Sequence, residues 1–170
     1  WCAIIGLDNE AIIKACEQAA SETGEIVSAV NFNSPGQVVI AGTKTAATRA
    51  GELCKDAGAK RALPLAVSVP SHCALMKPAA EELSRALQNI TLNEPLVSVI
   101  NNVDVATETD ADKIRDALVR QLYSPVRWTE TVEKMAQDGV TTLYEIGPGK
   151  VLTGLTSRII KDLSATARYN

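Results

Sequence analysis

The chain has 170 residues, a net charge of −3, 46% apolar residues and only 4% aromatic residues. This length is enough for one ordinary domain, or for one domain with a small companion, around an aliphatic core. The slightly acidic balance disfavours nucleic acid as the main partner, and no apolar run reaches the ~18 residues of a membrane helix. Four cysteines without a CxxC pair and a single histidine make a closed zinc site improbable. We therefore expect free thiols and a cytoplasmic protein.

Residues 1–67 alternate short apolar runs with helical patterns. Asp8 and Thr43 are good N-caps, and Gly24 and Gly58 are suited to ending the helices that follow them. The expected strands cover residues 1–7, 25–33, 37–43 and 60–67. The resulting order β-α-β-β-α-β predicts a ferredoxin-like subdomain, which we assign to residues 1–68.

Beyond Pro70 further helical patterns alternate with apolar strands. The predicted helices cover 77–89, 110–122, 124–139 and 149–160, and the predicted strands cover 95–102 and 141–148. The third of these helices is expected to begin at Ser124, an N-cap followed by a proline. Such alternation is typical of part of an α/β parallel sheet, so residues 69–170 are predicted to form a second, α/β unit.

The string "VPSHCALM" holds His72, the only histidine of the chain. It follows a predicted strand and a proline, where the loop after a strand would emerge, and α/β folds collect their active sites at such ends. A general base needs one ring nitrogen near the proton that it takes and the other held by an acceptor. A structural histidine with a satisfied ring is an equally good interpretation of position alone.

No obvious nucleophile accompanies this histidine. None of the serines lies in a GxSxG pentapeptide, the usual setting of a serine nucleophile. Cys73 is adjacent to His72, but neighbouring side chains usually point apart. The string "GPGK" at 147–150 fails the phosphate-loop pattern because Tyr144 and Val151 stand where glycine and a hydroxyl residue are required. A strand-to-helix corner is its simpler interpretation.

Five strings match one known family: "VNFNSPGQVVIAG", "AGAKRALPLAVSVPSHCALMKPAA", "NNVD", "IRDALVRQLYSPVRW" and "YEIGPGKVLTGL". They occur in order along essentially the whole chain, which resembles bacterial malonyl-CoA:acyl carrier protein transacylase. The resemblance implies an α/β fold: the C-terminal part of an α/β-hydrolase-like acyltransferase subdomain, with the ferredoxin-like subdomain inserted.

The resemblance also implies a ping-pong acyl transfer in fatty acid biosynthesis, in which a serine passes malonyl from coenzyme A to the phosphopantetheine thiol of acyl carrier protein. His72 is the implied general base, and the backbone carbonyl of Gln121 is implied to orient its ring. Ser71 is implied to help set the size of the acyl pocket. Malonyl-CoA is a substrate here, so no cofactor and no metal are expected.

The small subdomain would cover the cleft beside the active site. Asn31, Asn33 and Gln37 are candidates for contact with pantetheine, although turn formation alone would also explain them. Lys60 and Arg61 are candidates for docking the acidic acyl carrier protein, although such charges are usually only a solvated surface.

Three motifs of the family do not occur in the chain: the GQGSQ loop, the GHSLGE nucleophile elbow and the arginine that pairs the malonyl carboxylate. We therefore expect a C-terminal portion that supplies the base, depends on the N-terminal portion of the same enzyme as partner, and is inactive alone. The alternative is a non-catalytic, ferredoxin-like module that binds a small molecule.

Overall fold

The computed structural model describes residues 1–168, so the last two residues of the predicted second unit lie outside it. Its first part consists of β1 (Cys2–Ile5), α1 (Asn9–Thr23), β2 (Val27–Ser34), β3 (Gln37–Gly42), α2 (Lys44–Asp56) and β4 (Arg61–Pro64). The element order is the predicted one. The four strands form an antiparallel sheet in the order β2-β3-β1-β4.

Local signals account for the helix ends in this part. The Asp8 carboxylate accepts a hydrogen bond from the N–H of Ala11 at 2.8 Å, and Thr43 Oγ1 accepts one from Ala46 at 3.3 Å. Gly24 ends α1 with φ of 69°, a left-handed conformation that glycine adopts without strain. Both helices cover one face of the sheet, where small aliphatic side chains pack around Ile4.

The other face of the sheet carries a smaller cluster that reaches the second part of the chain. Val30, Val39 and Ala41 are buried there together with Cys73. This cluster fixes the segment around Cys73 against the sheet, because burial of close-packed apolar side chains holds the backbone that carries them.

The second part is α/β but more open. Its elements are α3 (Lys77–Leu87), β5 (Ile100–Asn101), β6 (Ala106–Thr107), α4 (Ala111–Arg120), α5 (Trp128–Gln137), β7 (Thr142–Ile146), α6 (Val151–Ile159) and β8 (Ser164–Arg168). β5 and β6 form an antiparallel hairpin, and β7 and β8 form a parallel pair. α5 and α6 pack against β2 and so join the two parts. No helix within residues 1–168 is long and apolar enough to cross a membrane.

Two predicted boundaries in the second part are wrong. The strand expected over 95–102 is present only at Ile100–Asn101, since residues 95–99 pair with no strand among those described and Leu96 is fully exposed. The helix expected to begin at Ser124 begins at Trp128. The backbone of Val126 instead pairs with β2, which keeps the residues before the helix extended.

The cysteines are free and buried. Burial raises the pKa of Cys16 to about 12 and that of Cys54 to about 11. The thiolate is the nucleophilic form of cysteine, so neither thiol is suited to nucleophilic chemistry at neutral pH.

Among the glycines of the sheet, Gly42 has the least room for a side chain. A Cβ at this position would lie 2.0 Å from the carbonyl oxygen of Ile26, a backbone atom that cannot move aside alone. We predict that Gly42→Ala lowers the free energy of unfolding by ~3 kcal/mol, as overpacking does. Urea unfolding followed by circular dichroism measures it.

Gly154→Ala is the matched control, since Gly154 lies inside α6 and a Cβ there would meet no atom within 4 Å. It should raise the free energy of unfolding by ~0.5–1 kcal/mol through helix propensity. Equal effects of the two substitutions would contradict this account of Gly42.

Candidate functional site

His72 lies in the segment between β4 and α3, at a bend that its neighbours hold on both sides. Its φ is 64°, in the left-handed region that non-glycine residues rarely adopt. Directly after it, Cys73 is 2% exposed and its thiol donates to the carbonyl of Pro70 at 3.2 Å. Cys73 therefore anchors the bend, whereas the ring of His72 is only partly buried.

Two backbone carbonyls hold His72. Its N–H donates to the carbonyl of Leu122 at 3.0 Å, and its ring Nδ1 lies 2.8 Å from the carbonyl oxygen of Gln121. A carbonyl oxygen can only accept, so Nδ1 carries the hydrogen. The neutral ring is then the Nδ1–H tautomer, and its Nε2 lone pair is left to accept a proton.

The end of α4 explains why these carbonyls are available. α4 ends at Arg120, and the N–H of Gln121 donates back to the carbonyl of Ala117. The last carbonyls of an α-helix have no partner within the helix and carry the negative end of its dipole. His72 binds the carbonyls of the two residues that follow α4, that of Leu122 with its main chain and that of Gln121 with its ring.

The segment after α4 is held against β2. The N–H of Val126 donates to the carbonyl of Val30 at 2.7 Å, and the carbonyl of Val126 accepts from Phe32 at 2.9 Å. β2 bulges at this point, because Ala29 faces Ile40 while Asn31 faces Val39. Bulges re-aim strands and often lie beside active sites. At this bulge β2 pairs with β3 on one edge and with Val126 on the other.

The three candidate pantetheine residues occupy different settings along the β2–β3 hairpin. Asn31 pairs with Val126 through its backbone, and its buried Oδ1 has no hydrogen-bond partner within residues 1–168. Asn33 is half-buried. Gln37 Oε1 already accepts from Arg158 of α6 at 3.1 Å, so this amide oxygen ties the hairpin to the second part.

Ser71 and the two docking candidates differ in exposure. Ser71 is partly buried beside His72, and its N–H donates to the carbonyl of Val69 at 2.9 Å. Lys60 and Arg61 are exposed, and β4 places Arg61 opposite Ile5, at the end of the sheet that also carries Gln37.

The turn at "GPGK" holds an anion that the chain itself supplies. The carboxylate of Glu145 accepts from the N–H groups of Leu152 and Thr153 at the start of α6, at 3.3 and 2.8 Å. Desolvation opposes ionisation, but the hydrogen bonds from Thr153 and Leu152 prevail and lower the pKa of Glu145. This corner is therefore a helix cap rather than a phosphate site.

A cavity of about 700 Å³ is lined by residues up to Pro70, two positions before His72, but not by His72 itself. It is bounded by α2 and by the segment after β4, with Lys44 and Glu52 on one side and Leu65 and Val67 on the other. Within residues 1–168 no group of three or more histidine, cysteine, aspartate or glutamate side chains is arranged to hold a metal ion.

Three features of the site were not predicted from the sequence: the left-handed backbone of His72, the pairing of Val126 with β2, and the Glu145 cap. The first two depend on contacts between residues far apart in the chain. Only the third has a local signal, since a carboxylate a few residues before a helix is a common N-terminal partner.

Comparison with known proteins identifies the family. Residues 6–169 match the family described as "Acyl transferase domain". The chain belongs to this acyl transferase family. The alternative, a small-molecule-binding module, is not favoured, because the match runs through both parts of the chain.

Two similar proteins carry the same name. The chain is 76% identical over 163 residues to the malonyl CoA-acyl carrier protein transacylase of Haemophilus influenzae, covering 96% of this chain and 52% of that protein. It is 68% identical over 165 residues to the protein of the same name from Escherichia coli K12, covering 97% and 53%. The chain thus spans about half the length of the curated relatives it matches.

Solved structures of similar proteins support the same family. A crystal structure of an acyl carrier protein S-malonyltransferase from Vibrio cholerae is similar with a TM-score of 0.96 and 67% identity, covering 99% of this chain and 55% of that one. A type II PKS acyl-carrier protein in complex with its malonyl-transacylase includes a chain similar at TM-score 0.96 and 65% identity, with 98% and 53% covered.

The acceptor for His72 is main chain, so the side chain of Gln121 should be dispensable for orienting the ring. We predict that Gln121→Ala reacts with diethylpyrocarbonate at the parent's rate, because Nε2 is the nucleophile in that reaction and stays unprotonated. Absorbance at 240 nm follows His72 alone, and His72→Gln is the blank. A changed rate in Gln121→Ala would show that the side chain holds the ring.

Proposed function

We propose that this chain carries the general base of a malonyl-CoA:acyl carrier protein transacylase. The observation that supports this most directly is the 2.8 Å contact between His72 Nδ1 and the Gln121 carbonyl. It leaves Nε2 with a lone pair directed away from α4, which is what a base acting on a hydroxyl needs. The relatives' names supply the substrate class.

In the first half-reaction, His72 Nε2 takes the proton of a serine hydroxyl as its oxygen attacks the malonyl thioester carbon. The tetrahedral intermediate then expels coenzyme A, whose sulfur takes the proton back from Nε2. Malonyl is left as a serine ester and the imidazole returns to its starting form. The negative end of α4 lies at Nδ1 throughout and stabilises the cationic ring that exists between the two transfers.

In the second half-reaction, the phosphopantetheine thiol of acyl carrier protein loses its proton to Nε2 and attacks the serine ester. Collapse of the second intermediate returns the proton to the serine oxygen and leaves malonyl on the carrier. Each proton taken is given back, so the reaction needs no resident cofactor and no metal. A cytoplasmic location fits this use of coenzyme A esters.

The serine, the oxyanion-hole donors and the carboxylate-binding arginine would come from the N-terminal portion of the enzyme. The exposed apolar surface of the second part supports this. Parallel strands are normally covered on both faces, yet Tyr144 and Ile146 of β7 are 58% and 67% exposed. We propose that this surface packs against the N-terminal portion, and that residues 1–170 alone transfer no malonyl.

We also propose that the fold divides into two subdomains. The order β2-β3-β1-β4 with both helices on one face supports a ferredoxin-like small subdomain over residues 1–68. Residues 69–170 would then belong to the α/β-hydrolase-like acyltransferase subdomain. The cluster around Cys73 and the pairing of Val126 with β2 would hold the two subdomains together.

We assign substrate contacts within this frame. Ser71, beside the base, would border the acyl pocket, where a small side chain leaves room for the malonyl carboxylate. Asn31 is the strongest of the three pantetheine candidates, because its buried Oδ1 has no hydrogen-bond partner within residues 1–168 and an amide donor that reached it would satisfy it. Asn33 would make a second contact with pantetheine. Gln37 would contribute its amide nitrogen, since Arg158 already donates to its oxygen.

A chimera tests the activity. Residues 1–170 would replace the matching portion of the Escherichia coli relative, which is 68% identical over 165 residues. We predict malonyl transfer from malonyl-CoA to acyl carrier protein by the chimera, and a loss of about 10³-fold or more in kcat for His72→Ala. Radiolabelled transfer measures both.

The 170-residue chain alone is the control and should show no turnover. An inactive but folded chimera would contradict the proposed function, and a His72→Ala chimera with undiminished kcat would remove His72 from the reaction.

Carrier docking makes a separate prediction. Lys60→Glu with Arg61→Glu in the chimera should slow transfer to acyl carrier protein by up to about tenfold, mainly through the encounter rate, and spare hydrolysis of malonyl-CoA. The matched control replaces two exposed helix lysines, Lys14 and Lys113, by glutamate and so makes the same change in net charge. Equal losses of both activities would count against docking at β4.

A further inference from the structure

The hairpin turn between β5 and β6 is strained in an unusual way. We refer to residues 101–106 as the anchor turn. Val105 has φ of 55°, although β-branched residues are genuine outliers in this region. Asn101 holds the turn twice: its side-chain oxygen accepts from the N–H of Asp104 at 2.8 Å, and its carbonyl accepts from Val105 at 3.1 Å. Backbone strain of this kind persists only where surrounding contacts maintain it.

The anchor turn presents Asp104 to the end of α4. Both carboxylate oxygens of Asp104 accept from Arg120, at 2.9 and 2.6 Å. This bidentate pair fixes the orientation of the guanidinium group as well as its distance from the carboxylate. The hydrogen bonds from Arg120 lower the pKa of Asp104, so the carboxylate is charged at neutral pH. Arg120 is the last residue of α4 and immediately precedes Gln121.

The same turn holds the start of α5. The carbonyl of Asn102 accepts from the N–H of Arg127 at 3.2 Å. Its side-chain oxygen lies 3.2 Å from Thr131 Oγ1, whose hydroxyl donates more closely to the Arg127 carbonyl, at 2.7 Å. Arg127 Nη1 also lies 3.4 Å from the carbonyl of Val103. Both ends of the segment 121–127 are therefore fixed to one short turn.

We propose that Asp104 is a positioning residue for His72, acting through Arg120 to fix the direction of the Gln121 carbonyl. This inference rests on the proposed function only for the catalytic use of the ring, because the positioning of the ring does not depend on that function. A helix terminus is where an α-helix frays, and a carbonyl there is free to tilt unless its neighbours are held. The pair tethers the last turn of α4 to the anchor turn, so the carbonyl that receives Nδ1–H keeps one direction.

A purely structural role would have different consequences. The side chains of Arg120 and Asp104 are 32% and 38% exposed, and ion pairs that solvent reaches contribute little to global stability. Removing this pair should therefore leave the fold intact and act on the orientation of one imidazole. Since His72 is the only histidine, its ring nitrogens can be observed without ambiguity.

The test compares three charge-neutralised variants of the ¹⁵N-labelled chain by two-bond ¹H–¹⁵N spectra of the imidazole. Asp104→Asn should lower the share of the Nδ1–H tautomer in the neutral ring. Asp116→Asn removes the other partner of Arg120, which lies on α4 itself and cannot tie α4 to the turn. Glu22→Gln weakens an equally short Arg–carboxylate pair in the first part. Neither control should change the ring signals.

In the chimera, Asp104→Asn should reduce kcat by about tenfold, because misplacement of a reacting group lowers the chemical step, with little change in KM for malonyl-CoA. Arg120→Lys keeps the charge without the bidentate contact and should act in the same direction. It is the second variant if Asp104→Asn fails to fold.

Unchanged ring signals and unchanged kcat in a folded Asp104→Asn protein would overturn the positioning role, as would an equal response in Asp116→Asn. These outcomes are distinct from failure of the proposed function. If the chimera never transfers malonyl but Asp104→Asn alone alters the ring signals, the positioning role stands and the transacylase assignment does not.

Discussion

The hydrogen bond from His72 Nδ1 to the main-chain oxygen of Gln121 is the contact on which the rest of the site depends. It joins residues 49 positions apart and uses an acceptor that α4 leaves unpaired at its end. In many hydrolytic triads a carboxylate side chain fixes the tautomer of the base. Here the end of a helix does so for His72, and the base that we propose needs no acidic partner.

Keeping that contact has a conformational cost, which the surrounding structure offsets. A non-glycine residue in the left-handed region costs roughly 1–3 kcal/mol. His72 is held there by the buried Cys73, which packs against the small sheet, and by the carbonyl of Leu122. The sheet in turn reaches the same region through the bulge of β2 and its pairing with Val126. Both parts of the chain therefore contribute to the orientation of one ring.

The four-stranded sheet could be predicted from the sequence because its elements carry local signals, such as the caps at Asp8 and Thr43 and the left-handed Gly24. The second part was harder. The apolar run at 95–99 has the composition of a strand but no partner strand among the described residues, and Val126 pairs with β2 where Ser124 suggested a helix start. The link between His72 and Gln121 was expected from family resemblance, since no local pattern connects them.

The tautomer of the neutral His72 ring is the most direct test of this account. Ring ¹⁵N shifts of the labelled 170-residue chain, followed through its titration, distinguish a protonated from an unprotonated nitrogen at each position. The account predicts that the neutral ring carries its hydrogen on Nδ1 and leaves Nε2 unprotonated. A neutral ring protonated mainly on Nε2, the form favoured by free histidine, would contradict it.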